Sequence, residues 1–286
     1  MKAVKVYDGT DPGATPGRVF TATIAQETII PEGKVLQFLK MALKHAVATA
    51  AVVIEDTATI LSEYVFRVGA ENRIIGNLAD LCAISWAYFR EPIVIGENTD
   101  ATGNNFIGNV KVPIFATVDA TKPFTHSAER TAVTNAATET LAISAYYDET
   151  LGEGKPIHAV KVPYTTAAAA GYDTPAFRVA PVGKLRYLII RQPNGFADGN
   201  IDVSVQRVRI LVNGQTHTQF NSLADAVAYP GVDLVTPSPV ADLFRPYLIF
   251  DLGLSGLDTK SQEVTLQLDV QDVSDAISII PVIELA

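Results

Sequence analysis

The sequence is short of charge for its length. Asp, Glu, Lys and Arg make up 19% of 286 residues, against roughly 25% in an average domain. Hydrophobic residues make up 48%, and the mean hydropathy is +0.20. Two interpretations stay open. Either part of the outer surface is covered by other subunits, or two β cores rich in Ala, Val and Ile account for the balance.

Long apolar runs are also absent. The longest candidate, residues 46–54, is rich in small side chains and is closed by Glu55 and Asp56. It falls well short of the ~18–20 residues that a membrane span needs. The first nine residues contain no apolar segment typical of a signal peptide. We therefore expect synthesis in the cytoplasm, without Sec-type export and without a transmembrane segment.

Cysteine and clustered basic residues are scarce. Cys82 is the single cysteine, which excludes an internal disulfide, and its place on a predicted helix face indicates an inert buried thiol. The net charge is −9 with a pI near 4.9, and no run of Lys and Arg occurs. Direct nucleic-acid binding is not expected, because phosphate neutralisation requires basic residues.

Catalytic motifs are missing as well. The four histidines are far apart, and no pair has the spacing of a two-histidine metal site. No nucleophile-elbow motif is present, and no pair of carboxylates stands out for sugar hydrolysis. We predict a protein that is not an enzyme and needs no cofactor. The histidines are His45, His126, His158 and His217.

Two polar loops are the one candidate for a ligand site. Their clustered carboxylate and amide oxygens are of the type that Ca²⁺ binds. The more ordinary explanation is that Asp and Asn are frequent in turns because their side chains bond to the backbone. The candidate calcium ligands are Glu97, Asn98, Asp100 and Asn104 in the first loop and Asn194, Asp198 and Asn200 in the second.

Four short segments recur in the same order in the two halves of the chain. The offset between copies falls from 156 through 150 and 145 to 138, as expected when the second copy has shorter loops. We interpret the chain as an internal duplication. The pairs are 3–6 with 159–162, 33–35 with 183–185, 69–83 with 214–228, and 119–122 with 257–260.

The duplication defines two predicted domains, 1–150 and 151–286. Each half offers about eight short strands, which is typical of an antiparallel jelly-roll β-sandwich rather than of βαβ units. Each copy of the 69–83 repeat predicts a strand, a turn at Gly69 or Gly214, and then a short helix capped by Asn77 or Ser222. The predicted fold class is all-β, with two tandem eight-stranded jelly rolls.

Some local patterns give sharper predictions. Residues 8–13 have turn chemistry, and 35–53 favours strand over helix because its copy at 185–190 is β-branched and aromatic. A change of phase near Gln206 predicts a β-bulge. The alternation of 264–270 predicts a strand with one apolar face.

The repeated segments, the Gly69 and Gly214 units and the terminal strands 141–147 and 277–285 carry a resemblance. The chain resembles the double jelly-roll major capsid proteins of tailless icosahedral DNA viruses, particularly corticovirus-like, membrane-containing bacteriophages. The resemblance implies a structural coat protein in which three chains form a pseudo-hexameric capsomer. It also implies location in the virion after synthesis in the host cytoplasm, lateral contacts between capsomers, minor capsid or penton proteins as partners, and an internal membrane.

The main alternative is a two-domain β-sandwich adhesin, spike or carbohydrate-binding protein. It predicts aromatic side chains exposed on one face or in loops. Trp86 lies within the predicted helix, which disfavours this alternative, whereas Tyr229 and Phe244 remain candidates for such a surface. A two-jelly-roll hydrolase is a third possibility, and it requires an acid pair in a cleft.

Overall fold

The computed structural model divides into two compact units, Met1–Ile157 and His158–Ala286. The boundary lies seven residues beyond the one placed at 150/151 from the sequence. The residues described are 1–12, 19–23, 32–47, 54–96, 104–119, 121–130, 136–149, 154–166, 170–173, 177–192, 204–221, 225–227, 229, 243–244, 246–271 and 276–285.

Unit 1 is built mainly of strands, with two helices between them. In chain order its elements are β1 (Lys2–Pro12), β2 (Val19–Thr23), β3 (Val35–Val47), α1 (Ile54–Thr59), β4 (Leu61–Val68), β5 (Glu71–Gly76), α2 (Leu78–Phe89), β6 (Val94–Gly96), β7 (Asn104–Thr117), β8 (Phe124–Arg130) and β9 (Ala136–Asp148).

The strands of unit 1 form two antiparallel sheets, β1-β9-β3-β7-β6 and β5-β4-β8-β2. Period-two alternation decides which side chains enter the core. Leu39, Met41 and Leu43 point inward from β3 and are buried, whereas Lys40 and Lys44 point outward. The inward residues of the two sheets form the apolar layer between them.

Helix α2 packs against strands of both sheets of unit 1, namely β4 and β5 of one sheet and β7 of the other. It is buried on every side, from Leu78 to Ala87, so it reads as a core helix rather than an amphipathic one. Asn77 and Asp80 form a capping box: each backbone N–H donates to the other residue's side chain, at 2.9 and 2.8 Å. The cap predicted at Asn77 is confirmed.

Unit 2 repeats the architecture with shorter strands. Its elements are β10 (Ile157–Val160, starting one residue before the boundary), β11 (Val162–Thr165), β12 (Gly171–Tyr172), β13 (Phe177–Arg178), β14 (Gly183–Arg191), β15 (Val205–Val212), β16 (Gln215–Asn221), β17 (Tyr247–Asp251), β18 (Leu257–Asp258), β19 (Val264–Val270) and β20 (Ala276–Leu285).

Its two sheets run β17-β14-β20-β10 and β12-β19-β15-β16, with β11 on β20, β18 on β14 and β13 on β19. We count β10 with β11, and β12 with β13, as interrupted single strands, and set aside the short β6 and β18. Each unit then has eight strands in the same two sheets, with orders 1-8-3-6 and 2-7-4-5. The predicted pair of eight-stranded jelly rolls is confirmed.

The sequence repeats fall at equivalent places in the two units. Residues 3–6 and 159–162 lie in or at the end of the first strands, and Gly33 and Gly183 lie at the start of the third. The turn after the fourth strand also makes the same backbone contact in both. Gly69 N–H donates to the Pro123 carbonyl (2.9 Å) and Asn213 N–H donates to that of Glu263 (2.8 Å), each acceptor immediately preceding the seventh strand.

The two equivalent glycines are required for different reasons. Gly33 has a φ of +80° with open space around it, so it serves a left-handed turn. At Gly183, a Cβ would lie 2.0 Å from the Glu284 carbonyl oxygen, so there the bare backbone lets β14 approach β20. Both units therefore have glycine at this position, but unit 1 needs it for its backbone conformation and unit 2 needs it for close strand packing.

Several local predictions are confirmed. The strand Val264–Val270 has the predicted bounds, and it is buried at every second residue. The register of β15 against β19 shifts between Val205 and Arg207, which is the predicted bulge. The ambiguous stretch is a strand over Val35–Val47, and residues 48–53 lie outside the described ones.

Two predictions are wrong. Residues 8–12 are not a turn, because β1 pairs with β9 as far as Pro12 opposite Thr138 and this pairing overrides local turn chemistry. The second predicted helix does not form at 225–227. There the backbone N–H of Val227 donates to the Ile249 carbonyl of β17 (2.7 Å), which takes it out of helical bonding. Ser222 lies outside the described residues.

After each turn glycine the chain forms a strand, β5 or β16, where the repeat had predicted that a helix follows the turn directly. The second copy nonetheless keeps part of the capping arrangement seen at Asn77 and Asp80. Asn221 N–H donates to an Asp225 carboxylate oxygen at 2.6 Å, and Asp225 N–H donates to the Asn221 carbonyl at 2.9 Å. Asp80 and Asp225 are aligned in the repeat and both receive a backbone N–H at the end of a fifth strand.

Candidate functional site

The calcium prediction stays a prediction. Glu97, Asn98, Asp100, Asn194 and Asp198 all lie outside the described residues, as does Asn200; Asn104 begins β7 and is exposed. Within the described ranges, no group of three or more His, Cys, Asp or Glu side chains is arranged to hold a metal ion.

Two of the histidines are buried structural residues of unit 1. His126 lies inside on β8, with Nδ1 3.3 Å from the Tyr64 hydroxyl, and burial lowers its pKa to about 4. His45 Nδ1 lies 3.3 Å from the Thr57 hydroxyl, to which the Asn105 amide also donates at 2.9 Å. These contacts of Thr57 link the short helix α1 to strands β3 and β7.

Cys82 lies on α2 and is fully buried. Burial, with a smaller contribution from the negative charge of Asp80, raises the pKa of its thiol far above the ordinary value. A thiol that stays protonated and shielded from solvent is unreactive, which agrees with the inert role expected from the sequence.

Neither Tyr229 nor Phe244, the candidates for an adhesin-like surface, is exposed, and Trp86 is also buried. Trp86 is 5% exposed within α2, and Tyr229 and Phe244 are 9% and 4% exposed. The latter two rings stack on each other with centroids 4.4 Å apart. Both rings are part of the protein interior and are not available as an exposed surface for a ligand.

Unit 1 contains a cavity of about 480 Å³ at the end of the sandwich near Gly33. Its walls are mostly apolar, and Arg73, Lys122 and Asp119 line it together. Arg73 is paired with Glu71 at 2.9 Å, and the Asp119 carboxylate accepts the N–H and hydroxyl of Thr121. Glu32 also lines the cavity, so its charged lining contains groups of both signs.

The outer faces of the two sheets of unit 1 carry charged side chains in cross-strand positions. On the sheet β1-β9-β3-β7, one row of outward positions runs Lys5, Ser144, Lys40 and Lys111, with Lys40 directly opposite Lys111. Lys44 lies two outward positions along β3. Lys111 is 17% exposed and is paired with Glu91 at 2.5 Å.

The outer face of the other sheet carries the opposite charge. Glu63 on β4 lies directly opposite Glu129 on β8, and both are exposed. Arg67, further along β4, donates to Asn72 (2.9 Å) and Ser127 (3.3 Å). Unit 1 therefore has a cross-strand lysine pair on one outer face and a cross-strand glutamate pair on the other.

No protein-family model matches the sequence, and no curated protein matches it as a relative. Solved structures do match over nearly the whole chain. The major capsid protein of Sulfolobus turreted icosahedral virus has a TM-score of 0.68 at 12% identity, covering 98% of this chain and 97% of that one. The chain has the fold of a viral major capsid protein.

Two further capsid proteins share this fold. The major capsid protein P2 of bacteriophage PM2 aligns with a TM-score of 0.57 at 10% identity, over 100% of this chain and 97% of that one. The VP54 protein of the virus PBCV-1 aligns with a TM-score of 0.57 at 9% identity, over 98% and 92%. The resemblance expected from the sequence is confirmed for the fold.

Sequence reasoning did not find the charged faces, because Lys5, Lys40 and Lys111 lie far apart in the chain, and so do Glu63 and Glu129. Strand pairing brings together Lys5, Lys40 and Lys111, and it does the same for Glu63 and Glu129. In the part of the chain that the structure describes, no helix is long and apolar enough to cross a membrane.

Proposed function

We propose that this chain is a major capsid protein, which assembles with copies of itself into the shell of an icosahedral virus. The observation that carries the proposal is the pair of jelly rolls with identical strand order in one chain, aligned end to end with viral capsid proteins. On this proposal the protein is a structural component of the virion and not an enzyme.

The architecture suits a trimeric building block. Three chains with two like units each present six similar units around one axis, and such a pseudo-hexamer can tile a closed shell. Lateral surfaces that face neighbours need little charge, which fits the 19% of charged residues. We propose a homotrimer as the capsomer.

The composition also bears on the other partners. With a net charge of −9 and no run of basic residues, the chain has little means of binding the genome directly. We propose that an internal membrane lies between shell and genome, and that minor capsid or penton proteins complete the shell.

Light scattering of the purified full-length chain tests the trimer. A mass near 92 kDa, three times 30.6 kDa, is expected at micromolar concentration. A monomer under these conditions contradicts the proposal. Immunogold electron microscopy with an antibody to this chain tests the location: label over the whole outer shell of a particle is expected, and label at scattered single points contradicts a major coat protein.

A further inference from the structure

The hairpin of β4 and β5 contains a β-bulge whose extra residue is Arg73. Phe66 pairs with Ile74 and Arg67 pairs with Asn72, so Arg73 has no pairing partner on β4. A bulge inserts one residue into a strand and can redirect its side chain. Here the redirected side chain is 20% exposed, and it lines the cavity at the end of unit 1.

Unit 2 has the same bulge in the equivalent hairpin. On β15 and β16, Ile210 pairs with Thr218 and Leu211 pairs with Thr216, which leaves His217 as the extra residue. The side chain of His217 is exposed to solvent. The bulge is therefore common to both units, whereas the largely buried arginine at the bulge belongs to unit 1.

The end of the sandwich next to this bulge also differs between the two units. In unit 2, Leu252 and Leu257 come from the segment between the sixth and seventh strands, and they pack on the apolar core together with Val212. In unit 1, the corresponding segment contributes Asp119 and Lys122 to the lining of the cavity. The cavity therefore distinguishes unit 1 from its duplicate.

The guanidinium of Arg73 is only partly engaged by the protein. Its Nη2 lies 2.9 Å from a Glu71 carboxylate oxygen, but its Nε is buried without a hydrogen-bond partner in the described part of the chain. A buried donor without a partner is costly, and a carboxylate is a strong acceptor for an arginine N–H. Lys122 lines the same cavity and forms no ion pair with a described residue.

The acidic residues of the lining do not engage that Nε. One oxygen of the Asp119 carboxylate accepts both the N–H (2.8 Å) and the hydroxyl (2.7 Å) of Thr121. The side chain of Glu32 is exposed. Because Arg73 and Lys122 balance Glu32 and Asp119 in charge, the lining favours a ligand with one negative charge over a ligand with several.

We propose that the cavity binds a small carboxylate with an apolar body, of the medium-chain alkanoate type. The carboxylate accepts from the Nε–H of Arg73, and Lys122 supplies further positive charge. The alkyl chain packs against the apolar wall that includes Phe66, Val68 and Ile114. The volume of about 480 Å³ lies in the range of roughly 300–1,000 Å³ that is usual for small-molecule sites. This inference goes beyond the proposed capsid role and does not depend on it.

Calorimetric titration of the full-length chain with sodium octanoate tests the site. A dissociation constant of about 0.1–1 mM is expected for a ligand of this size. Sodium acetate has the same head group without the alkyl chain, so it is expected to bind at least roughly tenfold more weakly.

Two charge variants have matched controls in unit 2. Arg73→Gln is compared with His217→Gln, which changes the extra residue of the equivalent bulge. Lys122→Gln is compared with Lys260→Gln, which changes the aligned lysine of the repeat. Octanoate binding is expected to weaken roughly tenfold or more in Arg73→Gln and about threefold in Lys122→Gln. The two controls are expected to bind like wild type.

A third variant fills the cavity without a change of charge. Ala116 lines the cavity from β7, and Ala116→Trp is expected to abolish octanoate binding by occupying the space of the alkyl chain. Circular dichroism checks that each variant is folded. If Arg73→Gln does not fold, Lys122→Gln and Ala116→Trp decide the result.

Several results would overturn the site. They are an absence of octanoate binding to the wild-type chain, equal affinity for acetate, and binding that stays unchanged in a folded Arg73→Gln or Ala116→Trp variant. Equal weakening in a unit 2 control would also overturn it, because the ligand would then lie elsewhere. None of these results bears on the mass of the assembled chain, so the proposed capsid role would stand or fall separately.

Discussion

Acid is expected to weaken unit 1 through one buried imidazole. The pKa of His126 is about 4 in the folded chain because of burial, against the ordinary value of about 6.5 when unfolded. The unfolded chain therefore binds a proton first as the pH falls, so stability is lost between about pH 6.5 and 4. From pH 7.5 to 5 the loss of stability from this group is about 2 kcal/mol, and it approaches about 3 kcal/mol below pH 4.

Urea unfolding at pH 7.5 and pH 5, followed by circular dichroism, measures the effect. For a slope of about 2 kcal/mol per molar urea, the midpoint falls by about 1 M from this group alone. The variant His126→Phe should lose that part of the pH dependence, because it has nothing to protonate. His217→Gln, which removes an exposed imidazole on β16, should keep it.

The comparison of wild type with His126→Phe decides the result, since every other titratable group is the same in both. An identical fall in midpoint for wild type and His126→Phe would refute the reasoning. Tyr64→Phe supplies a second check if His126→Phe does not fold. It removes the hydroxyl 3.3 Å from Nδ1 and leaves the imidazole buried, so the loss in acid should persist.

Three further changes probe the fold. Gly183→Ala should destabilise unit 2 by about 2–4 kcal/mol in urea unfolding, because the added Cβ would lie 2.0 Å from the Glu284 carbonyl oxygen. Gly33→Ala should destabilise unit 1 by only about 1–2 kcal/mol, because of the left-handed φ at this position. Equal losses of stability would contradict the different roles assigned to the two glycines. Asn77→Ala should cost about 1 kcal/mol through the lost cap, and an unchanged midpoint would argue against it. Cys82 should resist a thiol reagent until urea unfolds unit 1, and rapid labelling of the native chain would contradict its burial.

Strands that are apolar on one face were predictable, and polar strands were not. Val264–Val270 alternates cleanly, and its bounds follow from the sequence. β16 (Gln215–Asn221) has exposed or half-buried side chains throughout and lies at the edge of its sheet, so no apolar period marks it. β8 (Phe124–Arg130) is similarly polar on its outer side, where Thr125 and Ser127 are half-buried and Glu129 is exposed.

Tertiary contacts decided the remaining differences. Residues 8–12 read as a turn in isolation, but the long strand β9 offers partners along their whole length. The charged outer faces of unit 1 depend on strand register, which brings together residues as far apart in the chain as Glu63 and Glu129. Local sequence contains no information about register across such a distance, so these faces could be found only from the structure.

The paired turn contacts of the two units have a consequence for divergence. Gly69 to Pro123 and Asn213 to Glu263 are bonds between main-chain atoms, and neither depends on which side chains the residues bear. Most side chains around these turns can therefore be substituted while the main-chain hydrogen bonds are kept. A fold held by such bonds tolerates extensive substitution, which is consistent with a TM-score of 0.68 to a solved structure at only 12% identity.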